Sequence, residues 1–561
     1  MSILETPAVC AIMVSNERIE YDISLVELHQ YINDHHVLKV KIRDVGKVSP
    51  DQDFDDPQTY TDFLGKPITV TIAPSGGVVD QARELEFIGI VTEVNLENSI
   101  DGINIVTVIA SSPTIALDGG RVNAFHVDST VKDIIDSIVG RYSITKGSFD
   151  DVPGSYKFNV QHQETDYEYI MRLAAGRSLF AYYDGKEFRA VKAASHETEE
   201  LVWRETLGAF TVGLGTAPRE YNAAVYNYEQ KKTYSQDSES VPLQAALSEL
   251  SSVSAEASKE VFPVSSVAGG VKSVEDAQSL DEILKTERAR AIGRMVVCNG
   301  QSIVPAVAVG HTIMIKGMDK LDAVYWVTEV KHVFNESGKY HNAFVCNPLD
   351  TAAPQSKVKS QPKTYLQSAV VVDNNDPDKL GRVKVKFPWL GDETIWVRVL
   401  SPHAGSGHGW ICTPEIDDEV LVGFEHGNPS YPIALGALYN KDNSPPEDAG
   451  DSDNNIKIFA TKGGNQIYLG DADGSQVIQI TQGKNKLILS MDGPKITLET
   501  DGGDISIKGA NIKIEADQKI ELKAGTDLKT EAGANLELKG SIQGKLEAQM
   551  VEVKGSLIKL N

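Results

Sequence analysis

Several groupings among the 561 residues have side chains of the types that chemistry uses. His403, His408 and His426 stand near Cys412 in the sequence, and imidazole with thiolate is a zinc-type donor set. Asp417 and Asp418 are adjacent carboxylates, and such a pair can divide into general acid and general base where surroundings separate the two pKa values. Ser406 in Gly405-Ser-Gly407 resembles a fragment of a nucleophile elbow. Phe180-Ala-Tyr-Tyr183 could offer a stacking platform. Each setting favours a plainer role. The His and Cys spacings match no ligand pattern, no apolar pocket is evident beside the two aspartates, and the elbow lacks its strand-turn-helix context. Loop packing, a solvated turn and core packing are therefore expected. Cys10, Cys298, Cys346 and Cys412 form no CxxC pair and are expected as free thiols. No catalytic residue, metal site or cofactor is assigned.

The elements that would position these residues are mostly strands. Leu38-Lys-Val40-Lys-Ile42 and Ile68-Thr-Val70-Thr-Ile72 alternate, with Phe87 to Val94 and Ile103 to Ile109 following, so residues 1–110 read as a small antiparallel barrel. Thr130 to Asp133 and Thr165 to Glu168 are capping boxes opening amphipathic helices, and Asp184-Gly185 marks a hairpin. Ser235 to Gln278 reads as an exposed excursion with some helix, and Ser279 to Met295 as a helix. Strands expected over Ile303 to Ile315, Ala323 to Val333 and Tyr340 to Cys346 build a second barrel interleaved with the first. After a linker at 351–363, five short strands between Leu366 and Leu438 fit an OB-type barrel.

The last hundred residues repeat. Ile512-Lys-Ile514, Ile520-Glu-Leu522, Leu528-Lys-Thr530 and Leu536-Glu-Leu538 succeed one another at steps of eight, preceded by Ile505-Ser-Ile507, with Gly509, Gly525, Gly533 and Gly540 at the corners. Eight residues suit a short strand plus a turn, and one such strand presents only a narrow apolar strip. The strip needs partners, either within a single-chain solenoid or between several chains wound round one axis.

The net charge of -25 excludes a nucleic-acid partner, since phosphate binding needs a basic face. From Asn454 to Asn561 there are 14 Lys and 14 Asp plus Glu, so the repeat is neutral and the acidic excess lies upstream. No basic-then-apolar leader begins the chain and no run reaches 18 apolar residues, so assembly in the cytoplasm is expected, with export by something other than the Sec route.

Asp376-Pro-Asp-Lys-Leu-Gly-Arg-Val-Lys-Val-Lys-Phe-Pro-Trp389, Trp396-Val-Arg398, Ser401 to Trp410, Pro414 to Gly427 and Ala434 to Asn440 closely resemble, in order, the OB module of VgrG spike proteins. These are the central spikes of type VI secretion and related contractile injection systems, similar to the hub and needle of phage tails. Phe87 to Thr92, Ser112 to Gly119 and Glu164 to Ala174 look like the hub of the same family. The resemblance implies a mainly β chain with two hub barrels, a helical insertion, an OB-fold barrel and a triple-stranded intertwined β-helix as a homotrimer. The implied domains are hub barrel 1 at 1–110, the α+β insertion at 111–205, hub barrel 2 with its excursion at 206–350, the OB-fold at 364–442 and the needle at 443–561.

The function so implied is mechanical. The trimer would cap an Hcp-like inner tube amid baseplate proteins and puncture the target membrane when a sheath contracts. It would carry a PAAR-repeat tip protein on Leu557, Ile558, Leu560 and Asn561. The alternative is a spike-associated enzyme, a peptidoglycan hydrolase or an effector-bearing spike. Neither the interval between Asn440 and the first repeat nor the stretch after the repeat is expected to hold such a domain.

Overall fold

The computed structural model describes residues 4–19, 22–44, 62–76, 83–98, 104–152, 154–192, 198–228, 230–241, 248–268, 277–349, 363–446, 452–491 and 493–560. The linker expected at 351–363 lies outside them except for Lys363. They form two compact units, Met1–Asn443 and Ser444–Asn561.

The first unit is built on one large sheet. Besides the two-residue strand Glu17–Arg18 paired with the first, its strands are β1 (Thr6–Val14), β2 (Asp22–Tyr31), β3 (Val37–Asp44), β4 (Pro67–Pro74), β5 (Leu85–Asn98), β6 (Asn104–Ser111), β7 (Thr198–Val202), β8 (Leu207–Leu214), β9 (Val296–Ser302), β10 (Thr312–Lys316), β11 (Val324–Asn335) and β12 (Lys339–Pro348). The alternation read from the sequence points inward as expected: Leu38, Val40, Ile42, Ile68, Val70 and Ile72 are all buried.

The six strands from residues 6–111 do not close by themselves. An unbroken ring of antiparallel pairs runs β2-β3-β6-β5-β4-β1-β12-β11 and back to β2. A second arc runs β7-β10-β11-β12-β9-β8, with only β7 and β10 parallel. The two barrels therefore share β11 and β12. Residues 324–326 of β11 pair with β10, residues 329–335 pair with β2, and a bulge between Val327 and Glu329 separates the two halves. A bulge bends its strand, so one long hairpin can serve two barrels.

Ile303 to His311, expected as strand, instead crosses the second barrel's interior without pairing. Pro305 has no N–H to give a ladder, and Gly310 takes φ +83, where a Cβ would strike the Tyr182 ring. A buried irregular backbone needs its own partners. The Ile303 N–H donates to Thr206 O at 3.2 Å and the Gly310 N–H to Val327 O at 3.1 Å. Asn342 Nδ2 donates to Val304 O at 2.7 Å, and Gln30 Oε1 accepts from the Val309 N–H at 3.5 Å. His332 joins this set: one ring nitrogen lies 2.7 Å from Tyr340 Oη and the other 3.3 Å from Gln30 Oε1.

Both expected helices are present, with their caps. Val131–Val139 begins at Thr130, whose Oγ1 accepts the Asp133 N–H, and Asp166–Gly176 begins at Thr165, whose Oγ1 accepts the Glu168 N–H, each at 3.1 Å. Their apolar faces complete the first core. The excursion at Ser235 to Gln278 contains a strand end, the helix Glu249–Val261 and a two-residue strand. With the helix Ala277–Met295 it surrounds a satellite core of Val225, Tyr234, Leu280 and Leu284.

The OB module is a closed five-stranded barrel of Gln367–Asp373, Val383–Lys386, Thr394–Val399, Glu419–Phe424 and Pro432–Leu438. In the second unit, Ile456–Ala460, Asn465–Gly470, Val477–Gln482, Asn485–Ser490 and Lys495–Thr500 form an antiparallel meander. Gly464, Gly474, Gly483 and Gly493 supply the positive φ that its tight turns require. Beyond Asp501 no described residue pairs as a strand within the chain.

Burial lowers the pKa of His36 and of His332 from 6.5 to about 3. Below 6.5 the unfolded chain takes up these protons before the folded one, so stability is full above about pH 6.5 and lost as pH falls towards 3, by about 1.4 kcal/mol per pH unit for each ring. Thermal unfolding should therefore fall from pH 7 to pH 5. The His332→Gln variant should lower stability at pH 7 and flatten that slope; an unchanged slope would show that His332 is not the proton acceptor.

Candidate functional surfaces

The His, Ser and Asp residues that invited a chemical reading, with Cys412, lie in the OB module, whereas Phe180–Tyr183 is a buried strand of the hub. Ala404–Gly405 pairs with His408–Gly409, placing Ser406 and Gly407 at the apex of an exposed hairpin. The Ser406 carbonyl accepts a hydrogen bond from His408 Nδ1 at 3.0 Å, and Gly407 takes φ +75. The His403 and His408 rings lie 5.2 Å apart, Trp410 Nε1 donates to Cys412 Sγ at 2.8 Å, and His426 sits at φ +53 in a separate turn. Asp417 occupies a left-handed turn position, its N–H donating to Val371 O at 2.9 Å, while Asp418 Oδ2 accepts the Glu415 N–H at 2.8 Å. The His408 and Asp418 side chains organise backbone. Among the described residues no three His, Cys, Asp or Glu converge. Cys298 and Cys346, far apart in sequence, face each other across β9 and β12 with both side chains buried.

The motif Asp376 to Arg382 is an ionic knot. Asp376 accepts from Arg382 Nη2 at 2.7 Å and Nε at 3.1 Å, and from the N–H groups of Asp378, Leu380 and Arg382. The Arg382 side chain first, with the backbone donors behind it, holds the Asp376 carboxyl well below the usual carboxylate range. The knot fixes the loop between the first two strands of the OB barrel.

The OB barrel also carries a joint to the hub. Val122–Ser129 and Tyr156–Glu164 form an antiparallel ribbon. Phe125 and Phe158, ring centroids 5.9 Å apart, leave the hub and pack on the OB core. His162 lies 4.8 Å from the Trp389 ring, whose Nε1 donates to Gln367, and Ser430 Oγ accepts the Val160 N–H at 3.0 Å. Arg398 stacks over Tyr228 at 4.3 Å. The sequence reading overlooked both ribbon strands. A signal was present: Tyr156, Phe158 and Val160 alternate with polar residues, as a half-buried strand does, and Val122, Ala124, Phe125 and Val127 supply apolar positions in the other strand.

Among its described residues the second unit presents an apolar surface without cover. Register stacks Phe459 on Ile467, Ile467 on Ile480, Ile480 on Leu487 and Leu487 on Leu498, while Leu469, Ile478, Leu489 and Ile496 form the adjoining row. One face of the single-layer meander is thus continuous aliphatic and aromatic surface, with Ile478, Ile480 and Ile496 exposed by 46%, 46% and 74%. Downstream every described residue from Asp501 is exposed, including the repeat's aliphatics. Leu557, Ile558 and Leu560, marked for tip binding, are exposed as well, and Asn561 lies outside the described residues.

Comparison with known proteins matches the phage tail baseplate hub (GPD) family to residues 33–338 and the type VI secretion system/phage-baseplate injector OB domain to residues 367–439. The type VI secretion system spike protein VgrG5 of Pseudomonas aeruginosa is 29% identical over 218 residues, 30% of this chain and 28% of that one. The actin cross-linking toxin VgrG1 of Vibrio cholerae is 31% identical over 186 residues, 28% of this chain and 17% of that one. The matched stretch thus spans less than a third of either relative. In fold the chain is similar to the Francisella PdpA-VgrG complex, half-lidded, with TM-score 0.56 and 8% identity over 89% of each chain. It is also similar to an E. coli type VI secretion component, with TM-score 0.51 and 14% identity over 76% of this chain and 99% of that one.

Replacing Trp389→Ala should remove the stacking on His162 and cost about 3 kcal/mol. Scanning calorimetry should then resolve OB unfolding as a separate, lower transition; a single transition at the original temperature would show that Trp389 does not couple barrel to hub.

Proposed function

This chain belongs to the phage tail baseplate hub family, and from that premise we propose that it serves, as three identical copies, as the central spike of a contractile injection machine. The observation that carries the trimer is the uncovered apolar face of residues 456–500, continued by the aliphatic strip downstream. A single-layer sheet with one apolar face is not stable alone in water, and three such faces turned towards a common axis cover one another. The same arrangement supplies the repeat with interchain backbone partners and removes free strand edges, which an unpaired strip lacks within its own chain.

On this reading the two fused barrels, repeated three times, make six similar modules that seat on an Hcp-like hexameric inner tube and contact the baseplate. Axial force enters there. It passes through the Phe125-Phe158-Trp389 joint into the OB barrel, whose loop is pinned by Asp376 and Arg382, and then into the rod that breaches the membrane. The spike assembles in the cytoplasm and leaves with the particle on firing. Leu557, Ile558 and Leu560, with Asn561, seat a PAAR-repeat tip protein. The proposal assigns no catalytic step and no nucleic acid.

Mass measurement of the purified full chain should give three times the monomer mass, and a stable monomer would refute the spike. Deleting residues from Ser541 onward should leave the trimer intact and abolish co-purification of a PAAR-repeat protein. Retained binding would place the tip seat elsewhere.

A further inference from the structure

Charges on the repeat follow a rule that its aliphatic pattern does not require. Read at steps of eight, Lys513, Glu521, Lys529, Glu537 and Lys545 alternate in sign. Two residues on, Glu515, Lys523, Glu531, Lys539 and Glu547 alternate in the opposite phase. Both columns lie on the side away from Ile512, Ile514, Ile520 and Leu522, because side chains two apart in a strand share a face. The structure agrees where it brings such neighbours together: Lys513 Nζ lies 2.6 Å from Glu515 Oε1 and Lys529 Nζ lies 3.3 Å from Glu531 Oε2.

We infer that this checkerboard sets the register between copies of the chain, so that each eight-residue unit lies beside the next unit of a neighbouring copy. The inference rests on the three-copy reading above. Strands of copies related by rotation about one axis run parallel about 4.8 Å apart, which puts equivalent outward side chains within ion-pair reach. At zero offset Lys513 faces Lys513 and Glu521 faces Glu521, so every contact is repulsive. At an offset of eight, Lys513 faces Glu521, Glu521 faces Lys529, and every contact in both columns is attractive. At sixteen all become repulsive again. The inward columns cannot make this choice, because Ile512, Ile520, Leu528 and Leu536 are aliphatic at every multiple of eight. Register in a strand with a uniform apolar face is weakly specified, and lateral charge supplies the missing discrimination. An offset of one unit is also what results when each chain advances one face of a three-sided rod per eight residues.

Isolated exposed ion pairs contribute little, so the test inverts a whole rung at constant composition. Exchanging one unit, K529E with E531K, keeps net charge and the pair within the chain but makes its contacts with both neighbouring units repulsive. Exchanging all five units (K513E/E515K, E521K/K523E, K529E/E531K, E537K/K539E and K545E/E547K) restores alternation throughout. In low salt the single exchange should lower the temperature at which the full-length trimer dissociates by on the order of 5–10 °C. The five-unit exchange should return it to near the original value, and 1 M salt, with a Debye length of about 3 Å, should shrink the difference. A single exchange without effect, or a five-unit exchange no better than the single one, would overturn the register assignment while leaving the trimer standing. A monomeric parent chain would instead overturn the three-copy reading beneath it.

Discussion

Apolar surface and backbone polar groups must both be taken out of water together, and this chain meets that demand differently in its two units. In the hub it is met internally. β11 and β12 close one barrel along one half of their length and form part of the second along the other half, so 324–348 completes a ring begun by residues 6–111. Among the described residues of the second unit nothing covers the apolar face of the meander or pairs the strip beyond Asp501. The hub is therefore an ordinary folded body, whereas the second unit keeps an apolar face that the three-copy proposal covers with further copies.

Sharing a hairpin has its own cost. The second barrel is partly filled by Ile303 to His311, a hydrophobic run interrupted by a proline, whose backbone groups would be stranded among apolar side chains. Gln30 and Asn342 supply partners, and His332 and Tyr340 hold those in place. A buried polar set with two neutral histidines nearby is thus the consequence of a topological choice, with no chemistry implied. The same logic applies at the OB edge, where His408, Asp418 and Asp376 bind backbone N–H or C=O groups.

Family, fold and rod combine into one mechanical reading. The hub family match and the OB match together span most of the chain, and the structure joins the two bodies through aromatic side chains and a backbone-to-serine hydrogen bond. A joint of that kind transmits compression because interiors pack densely and yield little. Residues 454–561 carry 14 Lys against 14 Asp plus Glu, a balance suited to a surface that passes other matter without adhering to it.

Local rules were legible from sequence wherever the determinant lay within a few residues. Strand patterning located four of the first barrel's strands, at Leu38, Ile68, Phe87 and Ile103, though not β1 or β2; Thr130 and Thr165 announced their helices, Asp184-Gly185 announced its hairpin, and the order of motifs from Asp376 to Asn440 announced the OB barrel. The eight-residue repeat marked an apolar strip that needs partners, and its aliphatics are exposed in the single chain. Tertiary structure decided what depends on distant residues. Pairing of β1 with β12 joins positions over 300 apart, and Cys298 meets Cys346 only because two strands happen to share register. Ile303 to His311 looked like strand because burial and strand composition coincide, and only Pro305, Gly310 and the occupied edges of the neighbouring strands make it a crossing. Phe125 and Phe158 belong to a joint because a second barrel stands opposite them, a fact that no local pattern encodes.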